Sequence, residues 1–254
     1  MKIGISVLCA LLMIGSQVGA GQEMPAPRGL KAPLAHFVVQ KKTLAEALQE
    51  LASQALPNAV IGFEHVVAPP TAESPRIDVT VHGGTVSDAL AAICSDGRYT
   101  YSESVPGVVE VRPSDEPAEL RALMDLPIPS LDLDRQEWPG NLIGHIAERI
   151  PEVQAYLSAK VMEWSRKTGQ PLPGAPGITM SGNVPPPPIK IQLRNTTVRR
   201  VLSAIAAYTL EHAPRDRSVW PFYSPTGWRV EFTPDPMAST GLGGYLRWSA
   251  FPFL

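Results

Sequence analysis

Residues 77–94 read IDVTVHGGTVSDALAAIC. Ile77, Val79 and Val81 alternate with Asp78, Thr80 and His82, the period of two that a half-buried strand requires. The period then changes: Val86, Ala89, Leu90 and Ile93 share one stripe of a helix. The same switch recurs at 189–206, IKIQLRNTTVRRVLSAIA, where Ile189, Ile191 and Leu193 alternate and Val198, Val201, Leu202 and Ile205 form the stripe. Aligned on each other, the two stretches share Ile77/Ile189, Thr85/Thr197, Val86/Val198, Leu90/Leu202, Ala92/Ala204 and Ile93/Ile205. A fainter copy, FVVQKKTLAEALQEL, occupies 37–51. Repetition of this kind organises the reading of the whole chain.

Thr43, Thr85 and Thr197 each stand where a helix N-cap belongs, with a side-chain oxygen free to accept an early helical N–H. Glu46 follows Thr43 at capping-box spacing, and Asp88 favours the positive start of its helix. Arg199 and Arg200 do not favour a helix start.

The first half predicts a strand at 36–40, a helix at 44–55, strands at 59–63 and 77–82, a helix at 86–95 and a hairpin over 98–112 turning at Pro106-Gly107. The second half predicts a strand at 130–133, helices at 141–150 and 152–167, and a proline- and glycine-rich run at 169–188. The repeat strand and helix follow, then a hairpin with strands at 219–223 and 228–232. The expected fold class is α+β: two related small units of split β-α-β type, each a mixed sheet with helices on one face. The expected organisation is a signal segment at 1–20, a first unit at 34–113, a linker at 114–128, a second unit at 129–234 with an inserted helix and a proline-rich loop, and a flexible tail at 235–254.

The stretches HFVVQKKTLAEALQELASQ, Ala59 to Phe63, and IDVTVHGGTVSDALAAICSDGRYTYSES with VVEVRP appear in the order strand, capped helix, strand, strand, capped helix, hairpin. Over about 34–113 this resembles the secretin and TonB short N-terminal domain. A weaker second copy runs from about 189 to 234. The resemblance implies a cell-envelope module that contacts protein partners and is not an enzyme. No series of ~10-residue amphipathic strands follows, so the resemblance does not extend to a barrel or pore.

The N-terminus fits that compartment. Lys2 precedes a mostly apolar run from Ile3 to Ile14, and Val18-Gly19-Ala20 gives a small-residue cleavage pattern. This predicts a signal helix that is removed on export, with an uncleaved anchor as the alternative. The run is shorter than the ~20 residues of a span, and no later run approaches that length. A secreted or periplasmic location follows, with association to the outer membrane left open. Cleavage removes Cys9 and leaves Cys94 alone, inside an apolar helical stripe, where a small buried hydrophobe is expected.

Composition narrows the classes. Of 254 residues 44% are hydrophobic and 18% charged, which excludes global disorder. A net charge of −2 argues against a general nucleic-acid binder. The 27 prolines assign much of the backbone to turns and capped ends.

Candidate chemistry is sparse. His36, His65, His82, His145 and His212 are dispersed without metal-ligand spacing, so neither a metal nor a cofactor is expected. His82-Gly83-Gly84-Thr85 lacks an accompanying nucleophile elbow and reads as a strand-to-helix turn. Charge is segregated: 103–137 is acidic and 189–217 basic. The two segments can pair within the molecule, or Arg194, Arg199 and Arg200 can receive an anionic partner at a helix start. The favoured expectation is a non-enzymatic envelope protein that recognises protein partners through free sheet edges or helix faces. The alternatives are an envelope enzyme of hydrolase type with an unrecognised site, and a structural component of a ring assembly.

Overall fold

The computed structural model of the chain describes residues 27–68, 75–170, 186–213, 224–235, 238 and 240–251. The expected signal segment, the strand expected at 219–223 and residues 171–185 of the proline-rich run lie outside the described residues. The first half contains β1 (Pro33–Lys42), α1 (Leu44–Ala55), β2 (Val60–Val66), β3 (Ile77–Thr85), α2 (Val86–Ile93), β4 (Tyr99–Val105) and β5 (Val108–Pro113). After it come α3 (Ala118–Met124), β6 (Pro127–Gln136), α4 (Pro139–Gly144), α5 (Ile146–Arg149), α6 (Pro151–Thr168), β7 (Pro188–Thr197), α7 (Val198–Glu211), β8 (Gly227–Pro234) and β9 (Gly244–Phe251). The fold is α+β, as the two periodicities imply.

The strand-to-helix switches fold as read. Thr43 and Thr85 accept hydrogen bonds from the amides of Glu46 and Asp88, whose carboxylates accept in return from the threonine amides. Both capping boxes are complete. Thr197 accepts from the Arg200 amide, but Arg200 returns nothing to the cap. Pro106-Gly107 turns the β4–β5 hairpin, with Gly107 at φ 83°, a left-handed conformation that favours glycine.

Two antiparallel strand pairs repeat the same design. β1 pairs with β3, and β6 with β7. Pro33 lies opposite Thr85, and Pro127 opposite Thr197, so each pair starts a proline beside the cap of the following helix. Leu34, Phe37 and Val39 are buried on β1, and Ile128, Leu131 and Leu133 occupy the matching positions of β6.

Between the pairs runs one five-stranded mixed sheet in the order β4-β5-β2-β8-β9. β2 is parallel to β5 on one side and to β8 on the other, while β4 and β9 add antiparallel edges. The two expected units therefore share a sheet, and β2 serves both. Its alternate side chains enter different cores. Ile61 and Phe63 pack with α1, α2, β1 and β3, whereas Val60 packs with α7, β6 and β7. The neighbouring strands obey the same alternation: Val109 and Val111 join the first core, Val108, Trp228 and Val230 the second.

Two expectations are corrected. Residues 114–128 are more than a linker, because α3 buries Leu120, Leu123 and Met124 in the second core. Residues 235–254 are not a flexible tail throughout. Gly244–Phe251 pair with β8 along its whole length, and Leu246 and Trp248 lean on the second core while Phe251 enters the first. Tyr245 and Arg247 are exposed, whereas Ser249 and Phe251 on the same face are buried, so only the first part of β9 keeps an open face.

Gly62 fixes how β8 meets β2. It stands opposite Trp228, and a Cβ there would lie 2.3 Å from the indole. The bare backbone lets the fully buried ring lie flat on the sheet. A buried indole removes ~200 Å² from water, on the order of 5 kcal/mol of transfer free energy. Gly62→Ala is expected to displace Trp228 and cost about 1–3 kcal/mol by overpacking. Denaturant unfolding measures this, and an unchanged midpoint would refute the seating of Trp228 on Gly62.

Candidate functional site

The strongest concentration of buried charge lies where α7 meets the central sheet. α7 begins with two arginines, against the helix dipole. The structure answers this differently for each. Arg199 is 7% exposed and points into the protein, while Glu64 of β2, facing the same side as Val60, is fully buried. Arg199 Nε donates to Glu64 Oε1 at 2.6 Å, and Nη2 to Oε2 at 3.3 Å. Nη2 also donates to Glu116 Oε1 at 2.9 Å, and Nη1 donates to Asp125. Glu116 and Asp125 flank α3, so one guanidinium ties β2, both ends of α3 and the start of α7 together. Arg121 approaches Glu116 from the solvent side at 3.4 Å.

A second polar chain lies one helical turn along. Trp228 Nε1–H donates to Ser203 Oγ at 3.2 Å, and Ser203 Oγ–H donates to Glu110 Oε1 at 2.6 Å. Ser203 follows Arg199 by four residues, the spacing that puts both on one face of α7. That face therefore carries polar groups into a sheet surface that offers Glu64 and Glu110 in return.

The electrostatics follow from burial. Loss of water pushes the Glu64 carboxyl up, to about 7, against the opposing pull of Arg199. Burial works against the Arg199 cation too, but Glu64, Glu116 and Asp125 together raise it above the ordinary arginine range. The guanidinium stays charged, and burial makes Glu64 easier to protonate than a solvated glutamate.

Of the three arginines expected to meet an anionic partner, Arg199 is therefore spent inside the fold. Its donors face three carboxylates of the molecule itself, which corrects its place on an exposed partner surface. Arg200 donates to the carbonyl of Ser104 on β4, and Arg194 to the carbonyl of Leu193 at 3.1 Å. The structure does not gather the three into one patch. Among the described residues Arg199 and Lys190 turn the charge segregation into intramolecular pairs, Lys190 of β7 reaching Asp134 of β6 at 3.2 Å.

Sequence reading missed Glu64, Glu110 and Ser203. A signal for Glu64 existed: it interrupts the apolar run Ala59 to Val67. An acid inside such a run needs a partner.

Other polar features lie apart. On the first-core side of β2, His65 stacks on Phe63 at 5.0 Å and meets Arg229 Nη2 at 3.0 Å through Nδ1. Burial, helped by Arg229, holds this imidazole below its usual value. An open groove of about 850 Å³ runs between α6 and the residues before β9, lined by Lys160, Trp164, Lys167, Leu242 and Tyr245 among others. Cys94 is buried, and burial pushes its thiol up to about 11, so it remains an unreactive hydrophobe at neutral pH. Among the described residues no group of three or more His, Cys, Asp or Glu is placed to hold a metal ion, and no helix is long and apolar enough to cross a membrane.

Comparison with known proteins adds no relative: no family model, curated protein or solved structure matches the chain.

Arg199→Met leaves Glu64 buried without its counter-charge and should cost about 3–5 kcal/mol at pH 8, with a smaller loss at pH 5, where carboxyls can take up protons. Equal stability of variant and parent at pH 8 would exclude the cluster as a structural tie. Glu64 carries its own pH signature. Its folded value lies above the ordinary 4.5, so its contribution is complete below about 4.5 and is lost as pH rises through about 7. Relative to Glu64→Gln, the parent should lose stability from pH 4.5 to 7 in urea titrations; a flat or rising difference would contradict the assignment.

Proposed function

We propose that this chain is a non-enzymatic, secreted or periplasmic protein-interaction module of the kind found at the N-terminus of secretins and TonB-dependent transducers. Recognition proceeds by strand addition to the outer edge of β9. The observation behind this reading is the end of the central sheet. β9 follows β8 through eight consecutive opposed pairs without a bulge, and among the described residues no strand lies beyond it. It contains no lysine and no proline, and Tyr245 is 52% exposed. Proteins ordinarily blunt an open edge with charge, proline, a bulge or a covering helix; β9 carries one charge, Arg247, and α4 approaches it at Trp248 and Ala250, so the stretch around Tyr245 is the template offered to another strand.

The opposite edge is blunted. The carbonyl of Ser104 on β4 is taken by Arg200, and β4 is interrupted between Glu103 and Val105. Glu103 also accepts from the amides of Leu30 and Gly107, at 3.2 and 2.8 Å. The envelope assignment draws on the N-terminal apolar run with its small-residue cleavage pattern, and on the order of strands and capped helices over 34–113.

Site-specific photocrosslinking in cells tests this. A crosslinker at Tyr245 should give a discrete protein adduct in the envelope fraction, and one at exposed Glu50 of α1 should not. Adducts of equal yield at both positions, or none at Tyr245, would refute edge recognition. Retention of the chain in the cytoplasm would refute the location.

A further inference from the structure

We propose that His36 and His82 form a two-nitrogen site for a divalent transition-metal ion of tetragonal preference, copper(II) foremost. The two residues are 46 apart in sequence, and neither has a second histidine at chelating spacing. The antiparallel register of β1 and β3 sets them directly opposite each other. Both are exposed, while Phe37 and Val39 of β1 are buried in the first core. The rings are 4.6 Å apart, inclined by 25°, with Nδ1 facing Nδ1 at 2.8 Å.

That separation suits a chelated ion. Imidazole nitrogens bind such metals at ~2.0 Å, so two of them in cis positions of a square-planar site stand ~2.8 Å apart. A tetrahedral ion needs a wider spread, ~3.3 Å. The existing distance therefore favours the tetragonal ion, and imidazole is a suitable ligand for it, with copper(II) the tightest-bound of the divalent series.

Without metal the contact is an Nδ1–H···Nδ1 hydrogen bond, one ring donating and the other accepting. Chelation requires the donor ring to move its proton from Nδ1 to Nε2, which leaves both Nδ1 lone pairs for the ion. Exposure of both rings makes water available for that transfer. Two protein ligands leave the remaining coordination positions to water, so the ion is exchangeable. It would clamp β1 to β3, the strand pair that ends at the Thr85 cap of α2.

Copper(II) titration of the full chain provides the test. One ion per chain should bind with the paramagnetic-resonance signature of two equivalent nitrogens, and proton-resonance broadening should centre on His36 and His82. His36→Gln and His82→Gln should each weaken binding at least tenfold, and His145→Gln should leave it unchanged. Circular dichroism should show all three variants folded, since none of these side chains is in a core. Wild-type affinity in His36→Gln, or broadening centred on other imidazoles, would show adventitious binding only and overturn the proposal.

Discussion

A single strand buried on both faces governs this molecule. β2 lies between two parallel neighbours, one from each half of the chain, and its odd and even side chains enter different cores. Neither half closes its core without it. The first needs Ile61 and Phe63, and the second needs the surface formed by Val60, Gly62 and Glu64. A shift of one residue in β2 would send Phe63 toward Arg199 and Glu64 into an apolar core, so both halves fix its register.

The same constraint explains the buried charge. A strand covered on both faces has no solvent side on which to place a polar residue. Glu64 therefore meets a cation supplied from the other half, and Arg199 must enter a core from the first turn of α7. Breaking such a pair costs far more than forming it contributes, because the surviving charge stays buried. The arrangement is better understood as a device that specifies how the two repeats dock than as a large source of stability. Gly62 acts in the same direction, since it accepts only a flat ring from β8.

Much of the local structure was legible in the chain. The alternation at 77–82 and 189–193 became β3 and β7, the stripes became α2 and α7, and each cap threonine accepts the expected amide. Local periodicity and capping decide those elements, so a sequence exposes them. Residues Ala59 to Phe63 form an unbroken apolar run, the mark of a strand covered on both faces, but nothing local shows whose side chains cover it. The alternation of β9 is short and follows glycines, which concealed it within an apparent tail. The charge segregation was visible, yet only tertiary contact shows that Arg199 answers Glu64, Glu116 and Asp125. The facing of His36 and His82 likewise depends on register, which a list of dispersed histidines does not contain. The strand expected at 130–133 as the counterpart of 36–40 is β6, and its full length and its proline–threonine pairing come from the register with β7.

The central claim is that two repeats unfold as one body because they share β2. Native-state hydrogen exchange across a denaturant series tests it residue by residue. The account predicts that the core amides of β3 and β7, from opposite halves, lose protection through one common opening with the same free energy and denaturant slope as β2. Protection of β7 persisting after β3 and β2 have opened, or the reverse, would show two independent domains and contradict it.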